Sequence, residues 1–466
     1  MEKMGKMTEP EYTHFMRVAF GHTTPLDVDT SSTAVEFFNP DLNDSQKEAI
    51  RFALASKDVV LIHGPPGTGK THTLIELILH LVQRQLRVLV CGPSNVSVDN
   101  IVERLAPSRV PLVRVGHPAR LLPSVVDHSL DVLTRTSDAA GIVRDIRDEI
   151  DQKQASIRKT RSGRERRAVY ADLKQLRKEF RERESKCVDS LLRGSEVVLS
   201  TLHGAGGHQV KNQKFDVVII DEASQALEAQ CWIPLLAVSK VILAGDHLQL
   251  PPTVKSVQRK SPTEEPSFSL EKTLFDRLLD LHGSRIKRML TTQYRMHDTI
   301  MRFPSDELYE SKLIAADTVK ARLLKDLPYD VRDDDDSREP LVFWDTQGGD
   351  FPERTEDADV AKKDTLLGES KSNEMEAYVV AKHVSDLVDG SGIKPEDIAV
   401  ITPYNGQLAL LSRSLRERYP GLELGSVDGF QGREKEAVVL SLVRSNPQHE
   451  VGFLGERRRL NGKNIL

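Results

Sequence analysis

Residues 59–71 read Val-Val-Leu-Ile-His-Gly-Pro-Pro-Gly-Thr-Gly-Lys-Thr, a G-x-x-x-x-G-K-T loop set between an apolar run and a helix-forming segment. In such a loop, Gly64, Gly67 and Gly69 let the backbone turn tightly and aim successive N–H groups at phosphate oxygens. The following helix adds its positive N-terminal end. Pro65, Pro66 and Thr68 complete the turn, Lys70 supplies a point charge to the β and γ phosphates, and Thr71 places a hydroxyl on a Mg²⁺ ion. The pattern predicts a nucleoside triphosphate site.

A phosphate loop needs acids to hold the metal and activate water. Phe215–Glu222 is an apolar run ending in two carboxylates, Asp221 to hold Mg²⁺ and Glu222 to orient and polarise the attacking water. Further on, Leu243–Thr253 ends a second apolar run in a polar turn, where Gln249 is placed to sense the γ-phosphate, since an amide both donates and accepts. Gln293-Tyr-Arg-Met-His297 offers an aromatic face for adenine or ribose in Tyr294. Its Arg295 carries a guanidinium able to span two phosphate oxygens. On these residues alone, a core tyrosine and a surface ion pair remain open as the plain alternative. Gly425–Glu434 is a glycine-rich polar turn suited to approach both ligand and nucleic-acid backbone.

The elements that must position these groups show β/α alternation twice. In the first unit a helix over 44–56 precedes a strand at 58–62, and a helix at 70–84 follows the loop. Arg87–Cys91, Val110–Val115, Glu196–Ser200, Phe215–Ile220 and Lys240–Ala244 read as buried strands of a parallel sheet covered on both faces. The second unit begins near Arg285, with strands expected around Lys287–Thr291, Leu341–Asp345, Ile398–Thr402, Leu422–Val427 and Ala437–Leu442. Between β-forming runs of the first unit lies a charged stretch, 117–192. Its Ile142, Ile146, Ile150 and Ile157, then Val169, Leu173, Leu176 and Phe180, recur at helical spacing. Two antiparallel helices turning near Ser162-Gly163 are expected, with six cations against one acid over Arg158–Arg167 at the tip. That tip reads either as a solvated surface or as a phosphate-contacting arm. The acidic run Asp333–Asp336 reads as a solvated loop rather than a metal site.

A length of 466 residues suits two to four domains, and the formal charge of −5 confines any nucleic-acid surface to local patches. Cys91, Cys187 and Cys231 are scattered without a C-x-x-C pair, which argues against a disulfide framework or a zinc site and for a reducing compartment, cytoplasm or nucleus. Met1–Phe20 has no continuous apolar core, and no run approaches membrane-spanning length, so neither secretion nor a membrane partner is expected.

Taken together in order, Gln46 within LNDSQK, GPPGTGKT, PSNVSVDN, DEAS, GDHLQLPPT, QYRMH and SVDGFQGRE resemble the motifs of superfamily 1 helicases of the up-frameshift type. Within that group the resemblance is to the immunoglobulin μ-binding helicase subgroup, over roughly residues 14–461. It implies an α/β fold of two RecA-like P-loop domains, ATP and Mg²⁺ as cofactors, and a 5′→3′ motor on single-stranded DNA or RNA. It also implies that Gln46 hydrogen-bonds adenine, Tyr294 stacks at the nucleotide, Glu434 holds its sugar side and Arg295 meets the γ-phosphate. Pro93, Ser94, Asn95, Ser200, Thr201, Pro403, Tyr404, Asn405, Ser426, Val427 and Asp428 would line the nucleic-acid track. The domains expected are a residual stalk at 1–40, RecA-like domain 1 at 41–116 and 193–284, an inserted helical accessory domain at 117–192, and RecA-like domain 2 at 285–466. Two RecA units within one chain remove the need for a ring, so a monomer is expected. A DEAD-box-like or ring-forming P-loop ATPase is disfavoured by QYRMH and GDHLQLPPT.

Two departures bear on activity. The family carries a β-barrel and stalk before the first RecA domain, whereas here some 40 residues precede Gln46. After Asn461, Gly-Lys-Asn-Ile-Leu stands where the family continues V-A-x-T-R-A-R, and a second arginine finger would fall at Leu466. The expectation is ATP binding with weak or no unwinding, the alternative being an ATP-gated nucleic-acid clamp or an inactive helicase fragment.

Overall fold

The computed structural model describes residues 2–28, 35–137, 140–159, 163–254, 269–355, 371–430 and 433–455. The chain forms two compact units: residues 1–64, 70–247 and 251–290 make the first, and 65–69, 248–250 and 291–466 the second. Leu466 and the other residues from 456 onward lie outside the described residues, as do Gln431 and Gly432.

The first unit is built on seven strands: β1 (Val59–His63), β2 (Val88–Gly92), β3 (Leu112–Val115), β4 (Val197–Thr201), β5 (Val217–Ile220), β6 (Lys240–Gly245) and β7 (Lys287–Met289). All pair in parallel, in the order β3-β4-β2-β5-β6-β1-β7. The short Val/Ile/Leu runs form strands here because both faces are covered. Leu61, Leu89, Val198, Val218 and Leu243 enter one core layer, while Val60, Ile62, Val90, Leu199, Ile219 and Ile242 enter the other.

The last strand corrects the sequence expectation. Lys287–Met289 pairs with β1, Leu61 opposite Lys287 and His63 opposite Met289, so it closes the first sheet instead of opening the second. The reason is local. Arg288 lies over the Phe52 ring at 3.7 Å and pairs with Glu48 at 3.0 Å, both on the helix α2 (Asp44–Ala55), which ties the strand to the first unit.

The N-terminal helix α1 (His14–Ala19) is part of this core. Phe15, Met16, Val18 and Ala19 are fully buried, and Phe15 and Phe20 pack on Trp232 with ring centroids 5.8 and 5.2 Å away. Helix α3 (Lys70–Gln83) follows the phosphate loop and α4 (Asn95–Leu105) follows β2. Between β3 and β4, which are hydrogen-bonded neighbours, stand α5 (Leu130–Thr136) and a long pair, α6 (Ala140–Lys159) and α7 (Gly163–Gly194). The pair is antiparallel and has a small core of its own, Ile146, Ile150 and Leu173, with Ile157, Val169, Leu176 and Phe180 around it. Lys153 bridges Asp172 at 2.8 Å. The side chain of Ile142 and those of 158–162 lie outside the described residues, and Arg164, Arg166 and Arg167 are exposed.

In the second unit, among the described residues, β8 (Ile398–Thr402) sits between β9 (Glu423–Ser426) and β10 (Ala437–Leu440), again in parallel. Helices α8 (Glu374–Ser385) and α9 (Asn405–Leu415) cover one face through Ala377, Val380, Leu411 and Leu415. On the other face Leu250 packs with Ala399, Ile401, Val427 and Phe430. Leu341–Asp345 is not a strand. It has no strand partner among the described residues, and Leu341, Val342, Phe343 and Trp344 are exposed, so an apolar run alone did not make a ladder. Asp333–Asp336 is a capped turn: Asp334 accepts from the Ser337 N–H and Asp333 pairs with Arg338 at 2.7 Å. No helix among the described residues is long and apolar enough to cross a membrane.

Candidate nucleotide site and nucleic-acid track

Gly64 leaves β1 with its N–H bonded to the Gly245 carbonyl, 3.1 Å away, so the end of β6 fixes the start of the phosphate loop. No side chain fits there, since a Cβ on Gly64 would lie 2.9 Å from that of Lys70. Gly67 and Gly69 take φ of 71° and 73°, a left-handed geometry that glycine adopts at no steric cost. Within the loop the Thr68 hydroxyl donates to the Pro65 carbonyl at 2.7 Å. Thr71 is half-buried at the second position of α3.

Lys70 is the electrostatic centre. Its Nζ lies 3.3 Å from Asp221 Oδ1 and bonds Glu222 Oε1. Burial alone would lower the Lys70 pKa, but the two carboxylates outweigh it and hold it above the ordinary lysine value. Burial raises the Glu222 carboxyl; Lys70 opposes that shift and Asp221 adds to it. Glu222 has a φ of 53°, rare for a non-glycine residue, and stands one residue beyond Asp221, which directly follows β5. Its other oxygen accepts from Gln225 Nε2 at 2.7 Å, which holds the carboxylate at both ends. The sequence reading missed Gln225, although it stands three residues beyond Glu222 in the same DEASQ run.

A second cluster was also missed. His63 Nε2 and Asp246 Oδ1 are 2.9 Å apart and almost wholly buried, and the Asp246 N–H donates to Ser224 Oγ at 3.0 Å. These contacts tie the ends of β1, β5 and β6 together directly beneath the acids. Gln46 is buried and closes the cap of α2: its Oε1 accepts from the Asn43 N–H and its own N–H donates to Asn43 Oδ1, each at 3.0 Å.

The remaining candidates belong to the second unit as its residues group. Tyr294 is exposed, and its N–H donates to the Gly67 carbonyl at 2.8 Å. A Cβ on Gly67 would stand 2.7 Å from that of Arg295. Gln293, fully buried, shapes this turn, its Oε1 accepting from the Arg295 and Met296 N–H groups and its Nε2 donating to the Met296 carbonyl. Arg295 Nε meets Glu434 Oε2 at 2.7 Å. Gln249 is half-buried.

Of the expected track residues, Pro93, Ser94 and Asn95 follow β2, and Ser200 and Thr201 end β4, with Gly92 opposite Thr201 in the sheet. Pro93, Ser94, Asn95 and Thr201 line a cavity of about 1560 Å³ between this sheet end and the base of the helical insert, whose Arg147 and Arg181 face it. Ser200 is fully buried and donates to the Thr201 carbonyl, so its side chain does not reach that cavity. In the second unit, Thr402 lies opposite Ser426, which brings Pro403, Tyr404 and Asn405 beside the 426–428 turn. Tyr404 and Val427 are buried core side chains, 4% and 7% exposed, so neither presents a surface there; the Asp428 side chain lies outside the described residues.

Two AAA-domain family models match residues 41–257 and 270–462, nearly the whole chain between them. DNA polymerase alpha-associated DNA helicase A of Schizosaccharomyces pombe is 52% identical over 428 residues, 92% of this chain and 62% of that protein. DNA-binding protein SMUBP-2 of Rattus norvegicus is 48% identical over 448 residues, 95% of this chain and 44% of that protein. The chain belongs to the superfamily 1 helicases of the up-frameshift type. A regulator of nonsense transcripts 1 homolog of Neurospora crassa, 36% identical over 91% of this chain and 36% of its own length, marks the breadth of the family. The chain spans less than two thirds of the length of each of these relatives, 62%, 44% and 36% in turn.

Proposed function

We propose that this chain is a nucleic-acid-stimulated ATPase of the 5′→3′ helicase kind, acting as a monomer on single-stranded DNA or RNA. The observation that carries the reading is Lys70, at the mouth of a glycine-shaped phosphate loop, set against both Asp221 and Glu222. That is the donor set a triphosphate and its metal require. Thr71 and Asp221 would hold Mg²⁺, which when bound neutralises charge on the β and γ phosphates.

The chain's own groups then divide the work. Lys70 exchanges its carboxylate partners for phosphate oxygens, and Glu222, steadied by Gln225, orients the attacking water. Arg295 meets the γ-phosphate, Tyr294 stacks at the nucleotide and Glu434 lies toward its sugar. Gln249 responds to whether the γ-phosphate is present, and Gln46 borders the base. Pro93, Ser94, Asn95 and Thr201 of the first unit, and Pro403, Asn405 and Ser426 of the second, contact the strand. Loss of the γ-phosphate removes contacts that differ between two states of the protein, and strand affinity changes with it.

ATP hydrolysis measured with and without single-stranded DNA or RNA tests the proposal. Stimulation that disappears in Lys70→Ala supports it. Hydrolysis indifferent to nucleic acid would leave only an ATP-gated clamp, and undiminished hydrolysis by Lys70→Ala would refute the site.

A further inference from the structure

Beneath the first turn of α4 lies an ion pair that the nucleotide chemistry does not use. Arg114, on β3, is 0% exposed, and its Nε meets Asp99 Oδ1 at 2.6 Å, Asp99 being 1% exposed. The remaining donors are also placed: Nη1 gives to the Val115 carbonyl at 2.6 Å and Nη2 to Asn95 Oδ1 at 3.0 Å. Asp99 Oδ2 accepts from the Leu122 N–H at 3.0 Å. The packing is tight, since a Cβ on Gly116 would come within 3.0 Å of Arg114 Nη1.

A guanidinium has donors and no acceptor. Asn95 must therefore turn its oxygen toward Arg114, and the amide plane directs its NH₂ the other way. Asn95 is half-buried and lines the 1560 Å³ cavity. Among the described residues its Nδ2 meets no acceptor. The carboxylate of Asp99 keeps the guanidinium from rotating, so the orientation is set by a buried pair and not by the ligand.

We infer that Arg114 is a positioning residue that locks Asn95 as a hydrogen-bond donor into the cavity, so that the group Asn95 meets is an acceptor oxygen of a nucleic-acid backbone. This rests on the proposed function in one respect, that a single strand enters the cavity. It adds that recognition at this point is independent of base identity, because every nucleotide carries the same phosphate oxygens.

The test is fluorescence anisotropy of a labelled oligo(dT) titrated with the full chain and its variants. Asn95→Asp keeps an oxygen on Arg114 but presents only acceptors outward, and it is expected to fold and to weaken binding by about 10- to 100-fold. Arg114→Lys can hold Asp99 but not Asn95 as well, and is expected to weaken binding several-fold. In an Asn95→Ala background the same Arg114→Lys change should add nothing, because the donor it positions is gone. Asn95→Asp binding as tightly as the unaltered chain would overturn the inference while leaving the proposed function standing. So would an Arg114→Lys effect undiminished in the Asn95→Ala background, which would mark a structural role. Should Arg114→Lys fail to fold, the Asn95→Asp result decides alone. Failure of the unaltered chain to bind oligo(dT) at all would remove the proposed function and the inference with it.

Discussion

Arg295 and Glu434 are partners, Nε to Oε2 at 2.7 Å, although family resemblance gives them different duties at a nucleotide. With side chains 22% and 64% exposed, the pair is solvated on one side, and such pairs contribute little net stability. The carboxylate parks the guanidinium without holding it strongly, and under the proposed function the γ-phosphate takes it over. Arg295→Ala should lower the turnover of ATP hydrolysis by about 10³-fold or more while changing nucleotide affinity far less. Arg295→Lys should not restore it, since a point charge lacks the fork that spans two oxygens. Steady-state hydrolysis beside nucleotide titration separates the two quantities.

Glu222 is clamped by Lys70 on one oxygen and Gln225 on the other. Glu222→Gln should retain ATP binding yet lose roughly 10²- to 10⁴-fold in single-turnover hydrolysis, the range expected for removing a positioned base. Gln225→Ala should give a smaller loss of the same kind. Equal hydrolysis by Glu222→Gln and the unaltered chain would remove Glu222 from the mechanism.

Lys240, at the start of β6, is depressed to a pKa of about 8, first by burial and second by the nearby Arg84. Below about 8 both folded and unfolded chains carry the proton, and the fold bears the full cost of burying it. Between that value and the ordinary lysine value of about 10.4, only the unfolded chain is protonated, so this residue makes stability rise with pH. Lys240→Met should raise the unfolding free energy at pH 7 by on the order of 1–3 kcal/mol. It should also flatten the rise above pH 8. Denaturant unfolding of both proteins across this range gives the difference directly.

Phe15 is fully buried against Trp232 in the core of the first unit. Phe15→Ala should cost about 3–5 kcal/mol in the unfolding of that unit. A chain begun after Phe20 should be destabilised in the same way, by thermal or urea denaturation.

The parts legible in the sequence are those whose chemistry is written contiguously. A phosphate loop needs its glycines, lysine and threonine in one run, and a strand ending in two acids is visible without knowing its neighbours. Lys70 meets those acids because β1 and β5 flank β6 and end on the same side. What stayed hidden depends on pairings between distant residues: His63 with Asp246, Arg114 with Asp99 and Asn95, and β7 with β1. The residues Lys287–Met289 predict a strand but not its place, and it pairs with β1 of the first sheet and not with the second, because a strand's own residues do not say which edge it joins. Leu341–Asp345 shows the converse, an apolar run without a partner strand among the described residues. Ser200 and Val427 sit inside motif stretches that resemblance assigns to a surface, yet in a strand or turn alternate side chains point inward.

β3 and β4 are hydrogen-bonded neighbours although the whole insert, residues 116–196, lies between them in the chain. Closing so long a connection costs chain entropy, but the cost grows only with the logarithm of its length. The two long helices, folded back on each other around Ile146, Ile150 and Leu173, return the chain close to where it left. The insert therefore acts as a self-closing spacer whose outer reach can be lengthened or trimmed by whole helical turns without shifting the β3–β4 register. A change in the length of this arm should leave the β3–β4 pairing beneath it untouched.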